Sequence, residues 1–223
     1  MRKNIFMLTN SEENYLKEIY NLEEYFNTEI NTNLIAEKIN AKASSVTDML
    51  KKLAQKDLLI YQKYKGVKLN VNGKKKALSV IRKHRLWETF LVEKLDFNWD
   101  EIHEIAEELE HIQSEKLTNH LDAFLNFPVV DPHGHPIPNK NGEFTKMETS
   151  CLSNLDVNQE GILVGVKNSS DTFLRFLSNK NITIGCKIKV VHKEEFDNSL
   201  SINIGNSQFN ISENVANNLY LKK

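Results

Sequence analysis

The 223 residues contain 40% hydrophobic and 26% charged side chains, a balance that is typical of a folded globular protein and that excludes a largely disordered chain. No apolar stretch approaches the roughly 18 residues of a membrane span, and the N-terminus lacks the apolar core of a secretory signal. Two cysteines, Cys151 and Cys186, are too few for a disulfide framework, which favours a reducing compartment and predicts a cytoplasmic location.

The net charge of −1 conceals an uneven distribution along the chain. Residues 1–80 contain 14 Lys and Arg against 9 Asp and Glu, whereas residues 81–223 contain 15 against 21. Ten lysines lie within residues 42–76 alone. A basic block on an otherwise acidic chain indicates a polyanion-binding module, although an ordinary lysine-rich surface would give the same count.

The first elements in chain order are three helices and a hairpin. Apolar residues at helical spacing predict helices over residues 11–25, 32–40 and 44–56, the first of them with Ser11 as its N-cap. Residues 58–73 then alternate around a Lys-Gly tip, which predicts a two-stranded β-hairpin.

The remainder of the chain changes character twice. Two longer helices are predicted over residues 74–95 and 99–123. Residues 126–142 hold all four prolines and are predicted to form a linker or an extended arm. Residues 151–223 show short alternating runs, which predict a small all-β barrel of SH3-like size, with one or two helical turns over residues 172–180.

The order helix, tight turn, helix and β-hairpin is that of a winged helix-turn-helix, whose second helix enters the major groove of DNA. The same order would also suit a helix pair and hairpin that only pack together. The exposed residues at the start of the second helix, expected to contact phosphates or base edges, are Ser44, Ser45, Thr47 and Asp48. The lysines expected to contact phosphates are Lys51, Lys52, Lys63, Lys65 and Lys68.

Histidines and acids are phased along the two later helices. His84 and Glu88 share one helix face, and His103, Glu107 and His111 follow at four-residue steps, with Glu110 beside them. Carboxylate and imidazole ligands without a thiolate suit Mn²⁺, Fe²⁺, Zn²⁺ or Co²⁺. A solvated acidic face with incidental histidines would explain one such helix, but the repetition on two adjacent helices favours a metal site.

A second histidine pair lies in the proline-rich segment. His133 and His135, in DPHGHP, have the composition of a metal-binding tract, but the prolines around them favour a structural turn.

At these residues the sequence resembles the DtxR/MntR family of iron- and manganese-dependent repressors. The resemblance is carried by the segments ENYLKEIYNLEE, SSVTDMLKKLAQKDLLIYQKYKGVKL, RKHRLWETFLVEKL, WDEIHEIAEELEHIQSEKL and DPHGHPIP. It implies a mainly α fold with a small β part, built of three domains. These are a winged helix-turn-helix (1–73), a helical metal-binding and dimerisation domain with a proline-rich linker (74–142), and an SH3-like, FeoA-type β-barrel (143–223).

The resemblance also implies two sets of metal ligands. The positions that match the family's primary site are Asn14, Glu107, Glu110 and His111. Those that match its ancillary site are His84, Glu88 and His103, with Asp171 as a candidate from the C-terminal domain.

The chain departs from the family pattern at helix 1. Iron-type members carry Met and Cys where this chain has Asn14 and Glu107, whereas manganese-type members carry Asp and Glu. Manganese-type members also have a second carboxylate at the position of Lys17. Glu107 is therefore manganese-like, and the charged Lys17 argues against a binuclear manganese-type site.

The resemblance thus implies a metal-dependent transcriptional repressor of manganese or iron homeostasis. It would bind double-stranded operator DNA as a homodimer, with no membrane partner, no organic substrate and no enzymatic activity. A metallohydrolase would use the same ligands but would leave the basic hairpin unexplained. A winged-helix sensor of an organic ligand would share the N-terminal pattern, and a metal-carrying adaptor would bind partners through the SH3-like domain.

Overall fold

The computed structural model describes residues 7–26, 30–62 and 65–222, and it divides into two compact units. The first unit contains residues 1–84, 109–115 and 138–143. The second contains residues 85–108, 116–137 and 144–223. No helix among the described residues is both long enough and apolar enough to cross a membrane.

The first unit has the predicted order of three helices and a hairpin. The elements are α1 (Asn10–Phe26), α2 (Thr32–Ile39), α3 (Ala43–Gln55), β1 (Leu59–Gln62), β2 (Gly66–Leu69) and the first part of α4 (Val71–Leu95). Side chains on the inner faces of these elements form one core, in which the most deeply buried include Leu16, Ile19, Ile35, Val46, Leu50 and Leu53. Burial of each such side chain contributes roughly 1.5–3 kcal/mol relative to its exposure.

Helix α1 begins at Asn10, one residue earlier than predicted. Its N-cap is Thr9 rather than Ser11. The Thr9 hydroxyl accepts a hydrogen bond from the backbone amide of Glu12 at 3.3 Å. The Glu12 carboxylate in turn accepts one from the backbone amide of Thr9 at 2.8 Å. This reciprocal pair is a capping box, which satisfies amides that have no partner within the helix. The prediction of Ser11 as N-cap is therefore wrong.

The hairpin leads directly into α4. Leu59 lies opposite Leu69 in the antiparallel register, so that both side chains enter the core. Helix α4 then begins at Val71, three residues before the predicted start. Gly73 is required there because an added Cβ would lie 1.9 Å from the carbonyl oxygen of Leu58.

The predicted helix over residues 99–123 is two helices, α5 (Ile102–Leu109) and α6 (Glu115–Phe124). The prediction of a single helix is wrong, because residues 110–114 are not helical, and Glu13 contacts this intervening segment. Its carboxylate lies 2.7 Å from Nδ1 of His111 and accepts a 2.8 Å hydrogen bond from Gln113. Helical periodicity in the sequence does not reveal such a tertiary contact.

The C-terminal part of the second unit is a six-stranded antiparallel sheet with the strand order β3-β8-β4-β5-β6-β7. The strands are β3 (Ser150–Cys151), β4 (Glu160–Val166), β5 (Lys187–Lys193), β6 (Leu200–Ile204), β7 (Ser207–Ile211) and β8 (Leu219–Lys222). Helix α7 (Asp171–Ser178) provides the predicted helical turns, and the short α8 (Glu213–Ala216) precedes the last strand.

The proline-rich segment has no helix and no strand over residues 126–142, as predicted. Within the second unit it contains an isolated bridge between Val130 and Pro136, and the carbonyl of His133 accepts a 2.8 Å hydrogen bond from the amide of Val166. Gly134 has a φ of +83°, and an added Cβ would lie 2.1 Å from the carbonyl oxygen of Val164. The turn that carries His133 and His135 is therefore fixed by close backbone contact.

Candidate metal centres and nucleic-acid interface

Helix α1 buries four charged side chains, an unusual number for a helix of a small domain: Glu12, Glu13, Lys17 and Glu23. Lys17 reaches Glu110, in the turn after α5, where its Nζ lies 2.7 Å from Oε1 of a carboxylate that is 0% exposed. Nδ1 of His84 lies 2.7 Å from the other carboxylate oxygen. Burial alone would raise the pKa of Glu110, but the contacts with His84 and the charge of Lys17 outweigh it and lower that pKa.

Glu13 extends this network on the same face of α1. Its Oε2 lies 2.7 Å from Nδ1 of His111, and its Oε1 lies 3.9 Å from Nζ of Lys83. Burial lowers the pKa of Lys83, an effect that Glu13 and Glu110 oppose. We name these residues together the Glu110 cluster: Glu13, Lys17, Lys83, His84, Glu110 and His111.

The primary ligand set implied by the family resemblance is distributed unevenly. Glu110 and His111 lie in the Glu110 cluster, where Nε2 of His111 is 3.8 Å from Oε1 of Glu110. The amide oxygen of Asn14 is buried and has no hydrogen-bond partner among the described residues, so it is available to ligate an ion. Glu107 is 45% exposed and contacts His103 at 3.6 Å. Because the Glu110 carboxylate already contacts an ammonium group, this set fits a divalent ion poorly.

A second group of candidate ligands lies in the second unit around Glu88, which is buried in α4. Its Oε1 lies 3.7 Å from Nδ1 of His103 and 3.7 Å from Nδ1 of His133. We name Glu88, His103 and His133 the Glu88 cluster. His84, one helical turn before Glu88 on α4, has its Nδ1 directed to Glu110.

The tautomer of His133 follows from the contact of Nε2, the ring nitrogen that does not face Glu88. Nε2 lies 2.7 Å from the carbonyl oxygen of Trp99, which can only accept, so Nε2 carries the proton. In the neutral ring Nδ1 then presents a lone pair, and this atom is buried without a hydrogen-bond partner among the described residues. Ligand bonds of about 2.0–2.2 Å place neighbouring donors roughly 3–3.5 Å apart, so the 3.7 Å separations suit a transition-metal ion. Each of the two imidazoles could therefore share a divalent ion with the Glu88 carboxylate.

Asp131 holds His133 in this position. One oxygen of its buried carboxylate accepts the backbone amides of His133 and His135 at 2.8 and 3.0 Å. The other oxygen lies 3.2 Å from Nδ1 of His135 and 3.7 Å from Nε of Arg85. Ligand atoms of Asp131, His133 and His135 all lie within 4.8 Å of one another. The turn predicted for DPHGHP thus also brings potential metal ligands together. The His-x-His spacing is the sequence signal for this second property.

Asp171, the candidate ligand from the C-terminal domain, lies in the first turn of α7. Its side chain is 51% exposed and contacts Arg175 on the next turn at 3.6 Å. An exposed ion pair of this kind does not indicate a metal ligand.

The residues predicted to contact DNA occupy α3 and the hairpin. Ser44, Ser45, Asp48, Lys51 and Lys65 are exposed. The Asp48 carboxylate contacts Lys51 at 3.3 Å. The hydroxyl of Thr47, which is partly buried, donates to the carbonyl of Ala43 at 2.9 Å. Lys63 lies outside the described residues, and Lys68 is exposed on β2.

Lys52 has a structural contact that the sequence did not reveal. Its Nζ lies 3.1 Å from Glu12, whose carboxylate also contacts Lys56 at 2.6 Å. Burial alone would raise the pKa of Glu12, but the hydrogen bonds from Lys56, the Thr9 amide and Lys52 lower it to about 2. Glu12 therefore joins α1 to α3, while Lys52 remains 51% exposed.

Three domain families match the chain in succession. Residues 7–67 match the iron dependent repressor N-terminal DNA binding domain, and residues 71–139 match the iron dependent repressor metal binding and dimerisation domain. Residues 151–223 match the FeoA domain. The predicted fold class, mainly α with a FeoA-type β part, is confirmed by these matches and by the observed elements.

Curated relatives resemble little more than half of the chain. The iron-dependent repressor IdeR of Mycobacterium leprae is 34% identical over 131 residues, which cover 59% of this chain and 56% of IdeR. The diphtheria toxin repressor of Corynebacterium jeikeium is 30% identical over 131 residues, which cover 59% of this chain and 54% of that protein. The matched part thus spans little more than half the length of these relatives.

Solved structures resemble nearly the whole chain. A manganese-dependent transcriptional repressor in complex with manganese has a TM-score of 0.83 at 30% identity, with 94% of this chain and 98% of that one covered. The manganese regulator SloR has a TM-score of 0.75 at 34% identity, with 97% and 100% covered. The protein therefore belongs to the DtxR/MntR family of iron- and manganese-dependent repressors.

Proposed function

We propose that this protein is a metal-responsive repressor of manganese or iron homeostasis genes. In this proposal, a divalent ion bound by the helical region raises its affinity for operator DNA. The observation that carries the proposal is the Glu88 cluster, in which a buried imidazole lone pair faces a buried carboxylate within 3.7 Å. The same chain matches a repressor DNA-binding domain that is rich in lysine here, and the similar proteins IdeR and the manganese-dependent transcriptional repressor are repressors.

The proposed domain boundaries are those drawn from the sequence. Residues 1–73 form the DNA-binding winged helix-turn-helix, and residues 74–142 form the metal-binding and dimerisation domain. Residues 143–223 form the FeoA-type domain. The matched domain families, at residues 7–67, 71–139 and 151–223, support this division.

The proposed metal ligands are those of the Glu88 cluster, with Glu107 beside His103. One carboxylate and two imidazoles suit Mn²⁺ or Fe²⁺, and also Zn²⁺ or Co²⁺ in vitro. A bound ion would supply positive charge that holds α4, α5 and the DPHGHP turn of the second unit together. The backbone carbonyl of Trp99 would orient His133 as a ligand by fixing its tautomer.

The proposed DNA contacts lie on α3 and the hairpin. Ser44 and Ser45 at the start of α3 would meet base edges or phosphates, with Thr47 and Asp48 one turn further along. The lysines at 51, 52 and 65 would neutralise phosphates and make the affinity depend steeply on salt. As a homodimer, the protein would present two such helices to half-sites separated by one or more helical turns of DNA. Because its partner is the operator, we expect it to act in the cytoplasm.

Metal and DNA would favour each other's binding if the ion orders the protein in the DNA-binding conformation. Such coupling typically amounts to about 1–3 kcal/mol, which is a tenfold to hundredfold change in affinity. The test is the fluorescence anisotropy of a duplex selected from a random-sequence library in the presence of Mn²⁺. Affinity should rise with Mn²⁺ or Fe²⁺ under anaerobic conditions and fall when a chelator is added. Equal affinity after exhaustive chelation would falsify the proposal.

Two competing functions lead to different outcomes in simple assays. A metallohydrolase would turn over generic esters or phosphoesters when metal is added, and we expect no turnover. A regulator that senses an organic ligand would bind the selected duplex without responding to the metal series.

A further inference from the structure

Lys17 is a buried cation at the position where manganese-type members of the family have a second carboxylate. Its side chain is 7% exposed, and the carboxylate it contacts, Glu110, is 0% exposed. Burying an ammonium group costs several kcal/mol unless a partner compensates it. The 2.7 Å contact with Glu110 provides that partner and joins α1 to a turn 93 residues further along the chain.

The Glu110 cluster balances its own charges. Two carboxylates, Glu13 and Glu110, lie among two ammonium groups, Lys17 and Lys83. Before the imidazoles of His84 and His111 are counted, these four charges sum to zero. A divalent ion added to this cluster would leave two uncompensated positive charges in a buried region, which is strongly unfavourable.

We propose that Lys17 is the built-in cation of the Glu110 cluster: its ammonium joins α1 to the turn after α5 in place of a divalent ion. This inference rests on the proposed metal response, and it assigns the responsive ion to the Glu88 cluster alone. An ammonium group offers three hydrogen-bond donors and does not exchange with ions in solution. The link between α1 and Glu110 is therefore permanent, and it does not report the metal concentration.

Replacement of Lys17 by an acid should convert the cluster into a metal site. In Lys17→Glu, a new carboxylate would lie beside Glu110, with the imidazoles of His84 and His111 nearby. Carboxylates and imidazoles in that number form a suitable donor set for Mn²⁺. Lys38→Glu makes the same change of charge at an exposed position on α2 and is the matched control.

The experiment is equilibrium dialysis of the full-length protein against Mn²⁺. The unaltered protein and Lys38→Glu should bind a single ion per chain tightly, and Lys17→Glu should bind two. Thermal unfolding gives a second measurement. In chelator, Lys17→Glu and Lys17→Met should both unfold at lower temperature than the unaltered protein, and Mn²⁺ should raise the midpoint of Lys17→Glu by more than that of Lys17→Met.

Two results would overturn the inference. One is an unaltered protein that binds two Mn²⁺ ions per chain and loses one of them in Glu110→Gln. The other is a folded Lys17→Glu protein that gains no ion. If the unaltered protein bound no ion while Lys17→Glu bound one, the proposed function would fail and the role of Lys17 would stand.

Discussion

The Glu110 cluster and the Glu88 cluster are built from similar residue types, yet they differ in the way each carboxylate is compensated. Glu110 contacts the ammonium of Lys17 at 2.7 Å, whereas Glu88 lies 3.7 Å from the Nδ1 atoms of His103 and His133. A fixed ammonium satisfies a buried carboxylate permanently. An imidazole lone pair held towards a carboxylate leaves both groups able to ligate an ion. The comparison shows that the presence of acids and histidines does not by itself define a metal site.

The largest expected effect is on folding stability at the Glu110 cluster. Glu110→Gln would remove the carboxylate charge that contacts the buried ammonium of Lys17 at 2.7 Å, and breaking a buried ion pair typically costs about 3–5 kcal/mol. Urea unfolding of the metal-free protein measures this loss. Glu108→Gln, an exposed change nearby, should leave the free energy of unfolding nearly unchanged. Equal stability of the two variants would mean that Lys17 and Glu110 do not form a stabilising pair.

The second effect is on metal-dependent DNA binding at the Glu88 cluster. Glu88→Gln should abolish the tenfold to hundredfold gain in DNA affinity expected from coupling of about 1–3 kcal/mol. Anisotropy of the selected duplex, with and without Mn²⁺, measures the gain. Glu104→Gln, at an exposed position on α5, should retain it. A Glu88→Gln protein that still responded fully to Mn²⁺ would place the sensing ion elsewhere.

Glu12 is a third case, a buried carboxylate compensated by two lysines that are partly exposed. Its pKa is lowered from 4.5 to about 2, so the folded state gains stability from the ionised form above pH 4.5. That stability is lost as the pH falls from 4.5 towards 2. We therefore expect the difference in unfolding free energy between the unaltered protein and Glu12→Gln to shrink over this range, as measured by urea unfolding at several pH values. A difference that stayed constant with pH would contradict the assignment.

The smallest effect separates DNA contact from metal sensing. Lys65→Ala should weaken binding to every DNA sequence and reduce the slope of log affinity against log salt by about 1. Because Lys65 belongs to neither cluster, the ratio of affinities with and without Mn²⁺ should not change. Lys140→Ala, also exposed, is the control and should leave the salt slope unaltered. A Lys65→Ala protein with an unchanged salt slope would show that the hairpin tip does not contact DNA.

Much of the fold could be predicted because its signals are local. The alternation around Lys65-Gly66 predicted the hairpin, and the spacing of Val46, Leu50 and Leu53 predicted α3. The contact of Glu13 with the segment between α5 and α6 could not be predicted, because Glu13 lies 98 residues before His111 in the sequence.

The candidate sites were only partly predictable, for the same reason. Four-residue spacing identifies His84, Glu88 and His103 as candidates, but it does not show that one ring nitrogen of His84, Nδ1, contacts Glu110. His133 was assigned to a turn, because its contact with Glu88 depends on the path of the chain between them. Lys17 was recognised as a departure from the family pattern, while its partner emerged only from the fold.

The most direct test of this account is the anomalous scattering of Mn²⁺ in a crystal of the full-length protein. We expect a strong anomalous peak between Glu88, His103 and His133, and we expect no peak between Lys17 and Glu110. A peak at Glu110 with Lys17 displaced, and no peak at Glu88, would contradict it.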